Sequence, residues 1–369
     1  MAKLGDICTH QSSNIKQSDL ENNNGSYPIY GASGLIKNVD FYKQEKPYVA
    51  IVKDGAGVGR VMQLPAYSSV IGTMQYIIPN DDTDVKYLAY AMEHMNLAKY
   101  YSGATIPHIY FKDYKNEYIK GHNIETQKKI ATTLDKVTHT IDTCNAILEK
   151  LDLLVKSRFV EMFGDIDLNP FNWEKAPMGN YMSLLTDFSA NGSYEYLDSN
   201  VIMYDEPNYA LMVRTTDLEK NDFVNDVKYI DEKAYNILSK SKIFGNEIIM
   251  NKIGSAGKVY LMPILNKPVS LGRNAFMFRF NEEINIIFLY HLLISEYGAK
   301  EIQQHVRGAV TKTITKEAAR SVRIIIPPLA LQQQFAAFVE QTDKTKQQVK
   351  MVLEKAETLK KALMQEYFG

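Results

Sequence analysis

Two glycine clusters carry the residue types that most often cradle a phosphate. Gly55-Ala56-Gly57-Val58-Gly59 has the spacing of part of a dinucleotide-binding turn, and Gly254-Ser255-Ala256-Gly257-Lys258 that of part of a phosphate loop. A dinucleotide turn must close a strand, open a helix and be followed about twenty positions later by an acidic residue. Here the sequel is Arg60-Val61-Met62-Gln63-Leu64-Pro65, a strand ending at proline. The second cluster places Val259-Tyr260 after its lysine, where a phosphate loop needs Ser or Thr, and its spacing also fails. The clusters recur at matching places, so a tight turn between strands explains both. The seven histidines form no metal-spaced group, and Cys8 and Cys144 lie in unrelated contexts. No Ser, His and acidic set suggests itself. The chain reads as one that performs no chemistry and holds neither metal nor cofactor.

The elements around these turns are duplicated. Residues 127–164 fall on 332–369 without a gap when displaced by 205 positions, and eleven of the 38 are identical, among them Gln127/Gln332, Ala131/Ala336 and Phe163/Phe368. At the same offset Gly103, Ala104, Ile109 and Ile119 match Gly308, Ala309, Ile314 and Ile324. With one gap, Lys53, Gly55, Gly59, Arg60 and Val61 match Lys252, Gly254, Gly257, Lys258 and Val259, and Leu4-Gly5-Asp6 loosely echoes Met178-Gly179-Asn180. The order is module, helix, module, helix. The modules end alike and diverge in their middles, as two readers of different targets on one scaffold should. Gly164-Asp165-Ile166-Asp167-Leu168-Asn169-Pro170 is rich in helix breakers and marks the boundary. Asn169-Pro170-Phe171 lacks the second proline of the amino-methyltransferase element and reads as linker.

The first repeated segment predicts a helix from about Thr126 to Met162. Its apolar residues Ile130, Leu134, Val137, Ile141, Cys144, Leu148, Leu151 and Val155 alternate steps of four and three, leaving one narrow seam. An ordinary long surface helix is the alternative to a coiled coil. The second segment, about Ala330 to Tyr367, keeps a seam at Phe335, Val339, Val349, Leu353, Ala356 and Leu363, interrupted by Thr342 and Lys346. Chain order favours an antiparallel pair. Within the modules, strands are expected at Pro47–Val52, Met74–Ile78, Glu247–Met250 and Ala275–Phe280, and short helices at Val85–Lys99 and Ile284–Glu296. The class is α+β, with a curved mixed sheet.

At 369 residues and 42.0 kDa the chain has room for two cores. Formal net charge is −1 and the pI about 6.7, a poor match for a protein that grips DNA alone by backbone neutralisation. A partner would have to supply further phosphate contacts. The amino-terminal residues contain no apolar run of signal-peptide length, and no stretch has the length of a membrane span. The cytoplasm is the expected compartment.

The ordered, doubled series resembles the specificity subunits of type I restriction-modification enzymes over essentially all 369 residues. The residues carrying it are Tyr27-Pro28-Ile29-Tyr30-Gly31-Ala32-Ser33-Gly34, Gly55–Gly59, Gly103-Ala104-Thr105-Ile106-Pro107, Ile124–Ile130, Gly308-Ala309-Val310-Thr311-Lys312 and Ile326–Gln334. The resemblance implies two target-recognition domains, 1–123 and 165–328, joined by helices 124–164 and 329–369 in an antiparallel coiled coil. It implies double-stranded DNA as ligand, read as a bipartite, gapped, asymmetric site. The implied partners are two modification subunits carrying S-adenosylmethionine and two restriction subunits using ATP and magnesium, with no membrane. The start at Leu4-Gly5-Asp6 implies a shortened amino terminus. Gly121-His122-Asn123 lacks the proline pair of the second module, so the first junction is expected to turn differently.

Arg and Lys suit guanine, and Asn and Gln suit adenine. Near strand ends the first module offers Ser33, Lys53, Arg60 and Ser69, and the second Arg214, Lys252, Arg273, Asn274, Lys312 and Thr313. For each, a solvated loop residue is the alternative. Lys53 and Lys252 recur in both modules, which favours phosphate contact over base reading. Arg273 with Asn274 has no evident match and is the better base reader.

Overall fold

The computed structural model describes residues 1–103 and 107–369; Ala104, Thr105 and Ile106, part of the repeated motif, lie outside the described residues. Two compact units result, Met1–Leu148 with Gln347–Gly369, and Glu149–Lys346.

The first unit contains β1 (Ala2–Lys3), β2 (Cys8–Ser12), β3 (Tyr27–Gly31), β4 (Gly34–Val39), β5 (Tyr48–Val52), β6 (Val61–Leu64), β7 (Ser69–Val70), β8 (Met74–Pro79) and β9 (Tyr118–Ile119). Its main sheet has the order β2-β8-β5-β6, its smaller sheet β4-β3-β7, and β1 pairs with β9. The second unit contains β10 (Glu174–Pro177), β11 (Met182–Asp187), β12 (Ala210–Val213), β13 (Lys228–Ile230), β14 (Lys242–Ile243), β15 (Ile248–Asn251), β16 (Val259–Leu261), β17 (Val269–Leu271), β18 (Ala275–Phe280) and β19 (Arg323–Ile326). Its sheets are β11-β18-β15-β16, β13-β12-β17-β14 and β10-β19. The duplication therefore embraces all three sheets, including the middles where the sequences diverge. The expected mixed sheet is the smaller sheet of each unit, not the main one. Each main sheet is wholly antiparallel, and parallel pairing is confined to β3 with β7 and β12 with β17 in the smaller sheets.

The run Tyr48-Val49-Ala50-Ile51-Val52 becomes β5 because a strand between two others must be apolar on both faces. Val49 and Ile51 join the core beneath the helix Val85–His94, while Tyr48, Ala50 and Val52 face the opposite cluster. In β15, Ile248 and Met250 divide from Ile249 in the same way. The helices Val85–His94 and Ile286–Ile294 start alike. Asp84 and Asn285 each accept two backbone N–H groups of the first turn.

The long helices run Ile124–Phe163 and Leu329–Phe368, hereafter the central and distal helices. Every position of the predicted central seam is buried or half-buried. In the first unit, Ile130, Ala131 and Leu134 share a core with distal-helix Met364. In the second, Phe159 meets Phe335 at 5.3 Å, Arg158 lies over Phe338, and Lys346 pairs with Asp152 at 2.7 Å. The partner's number rises as the central number falls, so the two segments run antiparallel in this unit. Thr342 is buried with its hydroxyl donating to the Phe338 carbonyl, and Lys346 is held by Asp152 and Asp343, which accounts for both interruptions of the distal seam.

The repeated glutamines bind each long helix to its module. Gln127 Oε1 accepts the Asp84 N–H, and Gln332 Oε1 accepts that of Asn285, each at 2.8 Å. Their Nε2 groups donate to the carbonyls of His122 and Pro327, also at 2.8 Å. The same glutamine bonds fix both junctions, and the first differs in that the Asn123 side chain accepts the Thr126 N–H where the second has its proline pair.

Candidate nucleic-acid interface

In each unit the turn after the third strand of the main sheet is held by one backbone scheme. Lys53 N–H donates to Thr73, and the Lys53 carbonyl accepts from Ile109. Lys252 N–H donates to Asn274, and its carbonyl accepts from Ile314. Gly55 donates to Pro107 and Gly254 to Lys312, both at 3.0 Å. Gly59 and Gly257 have φ of +84° and +85°, and a Cβ on either would come within 2.5 Å of a neighbour, Ala98 or Ile302. These glycines make turns and close approaches, as expected, and their role is structural.

The scheme gathers most candidate residues at one end of each main sheet. In the first unit, Ser33 sits exposed in the turn between β3 and β4, and Arg60 Nη1 donates to the adjacent Ala32 carbonyl at 2.8 Å. Lys53 lies across the same end, its ammonium 3.8 Å from Asp54. Asp54 also meets His108 Nδ1 at 2.6 Å. Ser69 must be withdrawn from the candidates. It is fully buried in β7, whose equivalent in the second unit carries the equally buried Ser270, and a duplex cannot reach it.

In the second unit β11 and β15 end, and β18 begins, at the corresponding place. Lys252 is only 15% exposed in its side chain and pairs with Asp187 at 3.0 Å; Lys316 reaches the other oxygen of Asp187 at 2.8 Å. Burial works to raise the Asp187 carboxyl, but the hydrogen bonds and charges of Lys316 and Lys252 outweigh it and hold the carboxyl below its ordinary range. Lys252 is thus largely committed inside the fold, and Lys316, not singled out from sequence, is the more accessible of the two. Arg214 is likewise engaged: it pairs with Asp217 at 2.7 Å and reaches the Asp226 carbonyl. Arg273 and Asn274 form the turn into β18, Asn274 exposed and Arg273 half-buried. Lys312 and Thr313 lie on an exposed loop closed by reciprocal backbone bonds between Arg307 and Thr313, and Val310 at its tip is 98% exposed. The equivalent loop in the first unit is closed by Ser102 and His108. The 205-residue offset sets His108 on Thr313, a signal that would have added His108 to the candidates. Asp54, Asp187 and Asp217 carried no such signal, since carboxylates are not obvious DNA ligands.

Among the described residues, no group of three His, Cys, Asp or Glu side chains is placed to hold a metal ion. No helix among them is long and apolar enough to cross a membrane.

The chain matches the family model of the type I restriction modification DNA specificity domain twice, over residues 1–153 and 175–357. It is 23% identical over 309 residues to the type I restriction enzyme MjaVIII specificity subunit of Methanocaldococcus jannaschii, covering 77% of this chain and 69% of that protein. The fold is similar to the crystal structure of the type I restriction-modification S subunit from M. genitalium, with a TM-score of 0.65 at 16% identity over 100% of this chain and 95% of that one. A second chain, from a structure addressing complex assembly and conformational transition of a type I system, gives 0.53 at 12% identity over 99% and 96%. With both modules matched and both sharing one turn architecture, the chain belongs to the type I restriction-modification specificity family, whose members recognise DNA sequence and leave catalysis to other subunits.

Proposed function

We propose that the chain reads a bipartite, gapped and asymmetric DNA site, one half through residues 1–123 and the other through 165–328. Residues 124–164 and 329–369 form one antiparallel coiled coil that sets the gap and recruits two modification and two restriction subunits. S-adenosylmethionine, ATP and magnesium then belong to those partners. The observation that carries this reading is the pair of strand-end surfaces, which share a backbone frame and differ in their side chains. Shared features suit phosphate contacts, which carry no sequence information, and divergent ones suit base reading. Lys53 and Arg60, matched by Lys252 and Lys258, are assigned to the backbone, and Ser33, Arg273, Asn274, Lys312 and Thr313 to base edges. Lys252 and Arg214 act mainly by shaping the surface. The near-zero net charge supports a need for partner subunits in tight binding.

Methylome sequencing of the host with and without the gene is the direct test. A split adenine-methylation motif that disappears with the gene is expected, and an unchanged methylome defeats the proposal. Spacing has its own test. One heptad added after Leu148 and its match after Leu353 lengthens both helices by about 10 Å. The preferred gap should then grow by roughly three base pairs at 3.4 Å each. An active extended variant with an unchanged gap would show that the helices do not measure it.

A further inference from the structure

Arg273 stands apart from the other cations at this surface in how it is held. It follows Gly272, whose N–H donates to the Val213 carbonyl at 2.7 Å, and precedes Asn274, whose carbonyl accepts the Lys252 N–H at 2.9 Å. The backbone on either side of it is therefore tied to both four-stranded sheets of the unit. The guanidinium lies over two aromatic rings, 5.1 Å from the centre of Phe188 and 5.6 Å from that of Tyr194. Such stacking fixes the plane of an arginine, and the ring faces attract its charge. Rotation within that plane is fixed by Asp198, which accepts from Nη2 at 2.9 Å. Among the described residues this is the one hydrogen bond the guanidinium makes, so its other N–H groups are left for a ligand. The side chain is 32% exposed, and Tyr194 beside it 73% exposed.

An arginine that reads guanine must present a planar fork to two acceptors, and a fork already fixed loses less freedom on binding. The first unit supplies a contrast. The turn that corresponds to Gly272–Asn274 is Ile71–Thr73, where Gly72 occupies the arginine's place and no such side chain exists. A device present in one module alone suits the reading of one half-site, not a backbone contact common to both.

We infer that Asp198, Phe188 and Tyr194 are positioning residues which pre-set Arg273 to read one guanine, in one half-site only. This rests on the proposed reading of DNA by the second module. Once the target is known, the test uses the full chain assembled with its modification subunits. The probes are a duplex carrying the target and duplexes with each base pair changed in turn. Arg273→Lys keeps the charge and removes the fork, so it should lower discrimination at a single base pair by roughly tenfold or more. Asp198→Asn and Tyr194→Leu should each relax the same base pair, several-fold, and leave every other position and the other half-site unchanged. Both positions are largely exposed, and a thermal melt of each variant identifies any loss of fold. Relaxation by Arg273→Lys without any effect of Asp198→Asn or Tyr194→Leu would overturn the positioning role and leave base reading intact. Unaltered base preference in Arg273→Lys, with or without uniformly weaker binding, would overturn base reading itself.

Discussion

Lys53 and Lys252 follow the same strand, enter the same glycine turn and make the same backbone bonds, yet their ammonium groups have different company. Lys252 lies beside a carboxylate from β11 that a second lysine, Lys316, also holds. At the corresponding places the first unit has Ser12 and Phe111, and Phe111 stacks on His10 instead, at 4.3 Å. Its carboxylate is Asp54, the neighbour of Lys53, shared with His108. One unit thus buries its carboxylate, 8% exposed, between two lysines, and the other leaves its carboxylate, 28% exposed, between a lysine and a histidine. A duplicated frame constrains the backbone and leaves the electrostatics free to diverge.

Removing the two carboxylates in parallel should separate the units most. Asp187→Ala strands two lysines, one of them largely buried, and should destabilise the chain by about 3–5 kcal/mol. Asp54→Ala, at a more open site, should cost only about 0.2–1 kcal/mol. Urea denaturation of the two variants side by side tests the difference, and equal losses would end the distinction.

Acid separates the units next. His291 and Tyr90 occupy equivalent places on the helices beneath the main sheets. Burial pushes the His291 imidazole down to about 4; Asp343 acts to raise it and Lys346 to lower it. The unfolded chain therefore takes up a proton near pH 6.5 that the folded chain refuses until about 4. Stability should fall by on the order of 3 kcal/mol as pH drops through that window. His291→Phe should flatten the profile there. Asp187 adds a lower limb: with its carboxyl depressed in the fold, its contribution is complete above the ordinary 3.8 and is lost as pH falls through the native value. A wild-type profile that stays flat between 6.5 and 4 would contradict the burial of His291.

The glutamine clamps should behave alike in both units. Gln127→Ala leaves a helix-cap N–H and the carbonyls of Asp82 and His122 without this partner, and Gln332→Ala a helix-cap N–H and the Pro327 carbonyl, for about 1–3 kcal/mol apiece by the same denaturation assay. A large asymmetry would mean that the repeated junctions are not equivalent. The smallest effect is expected from Lys53→Gln, which should reduce the salt dependence of DNA binding by the assembled complex by about one phosphate contact, without changing base preference.

Much of this fold was legible from spacing. The central seam from Ile130 to Val155 needed only a period, and the 40-residue helices follow the predicted limits to within two residues. The glycine turns were legible because only glycine takes φ near +85° with a neighbour so close. The modules' middles were not, because strands such as β7 and β14, two residues each, carry too little pattern to detect. The site was half legible. Recurrence picked out Lys53 and Lys252, but how far each is buried depends on β2 and β11, more than forty residues away. Ser69 sat beside a predicted turn and proved to be core, since a serine in a short inner strand looks like any loop serine.

The first unit draws its core from two distant stretches of chain. Leu363, Met364, Tyr367 and Phe368 pack against Leu88, Ala131 and their neighbours, which are made more than two hundred residues earlier. During synthesis, then, the first unit waits for a segment that emerges only after the whole of the second unit. Until residues 347–369 leave the ribosome, the apolar face of the central helix around Ile130 and Leu134 lacks its cover and is open to chaperones or to a second nascent chain. The second unit, unbroken from Glu149 to Lys346, has no such wait. The order of translation is thereby reversed in folding, and the module encoded second is the first able to close.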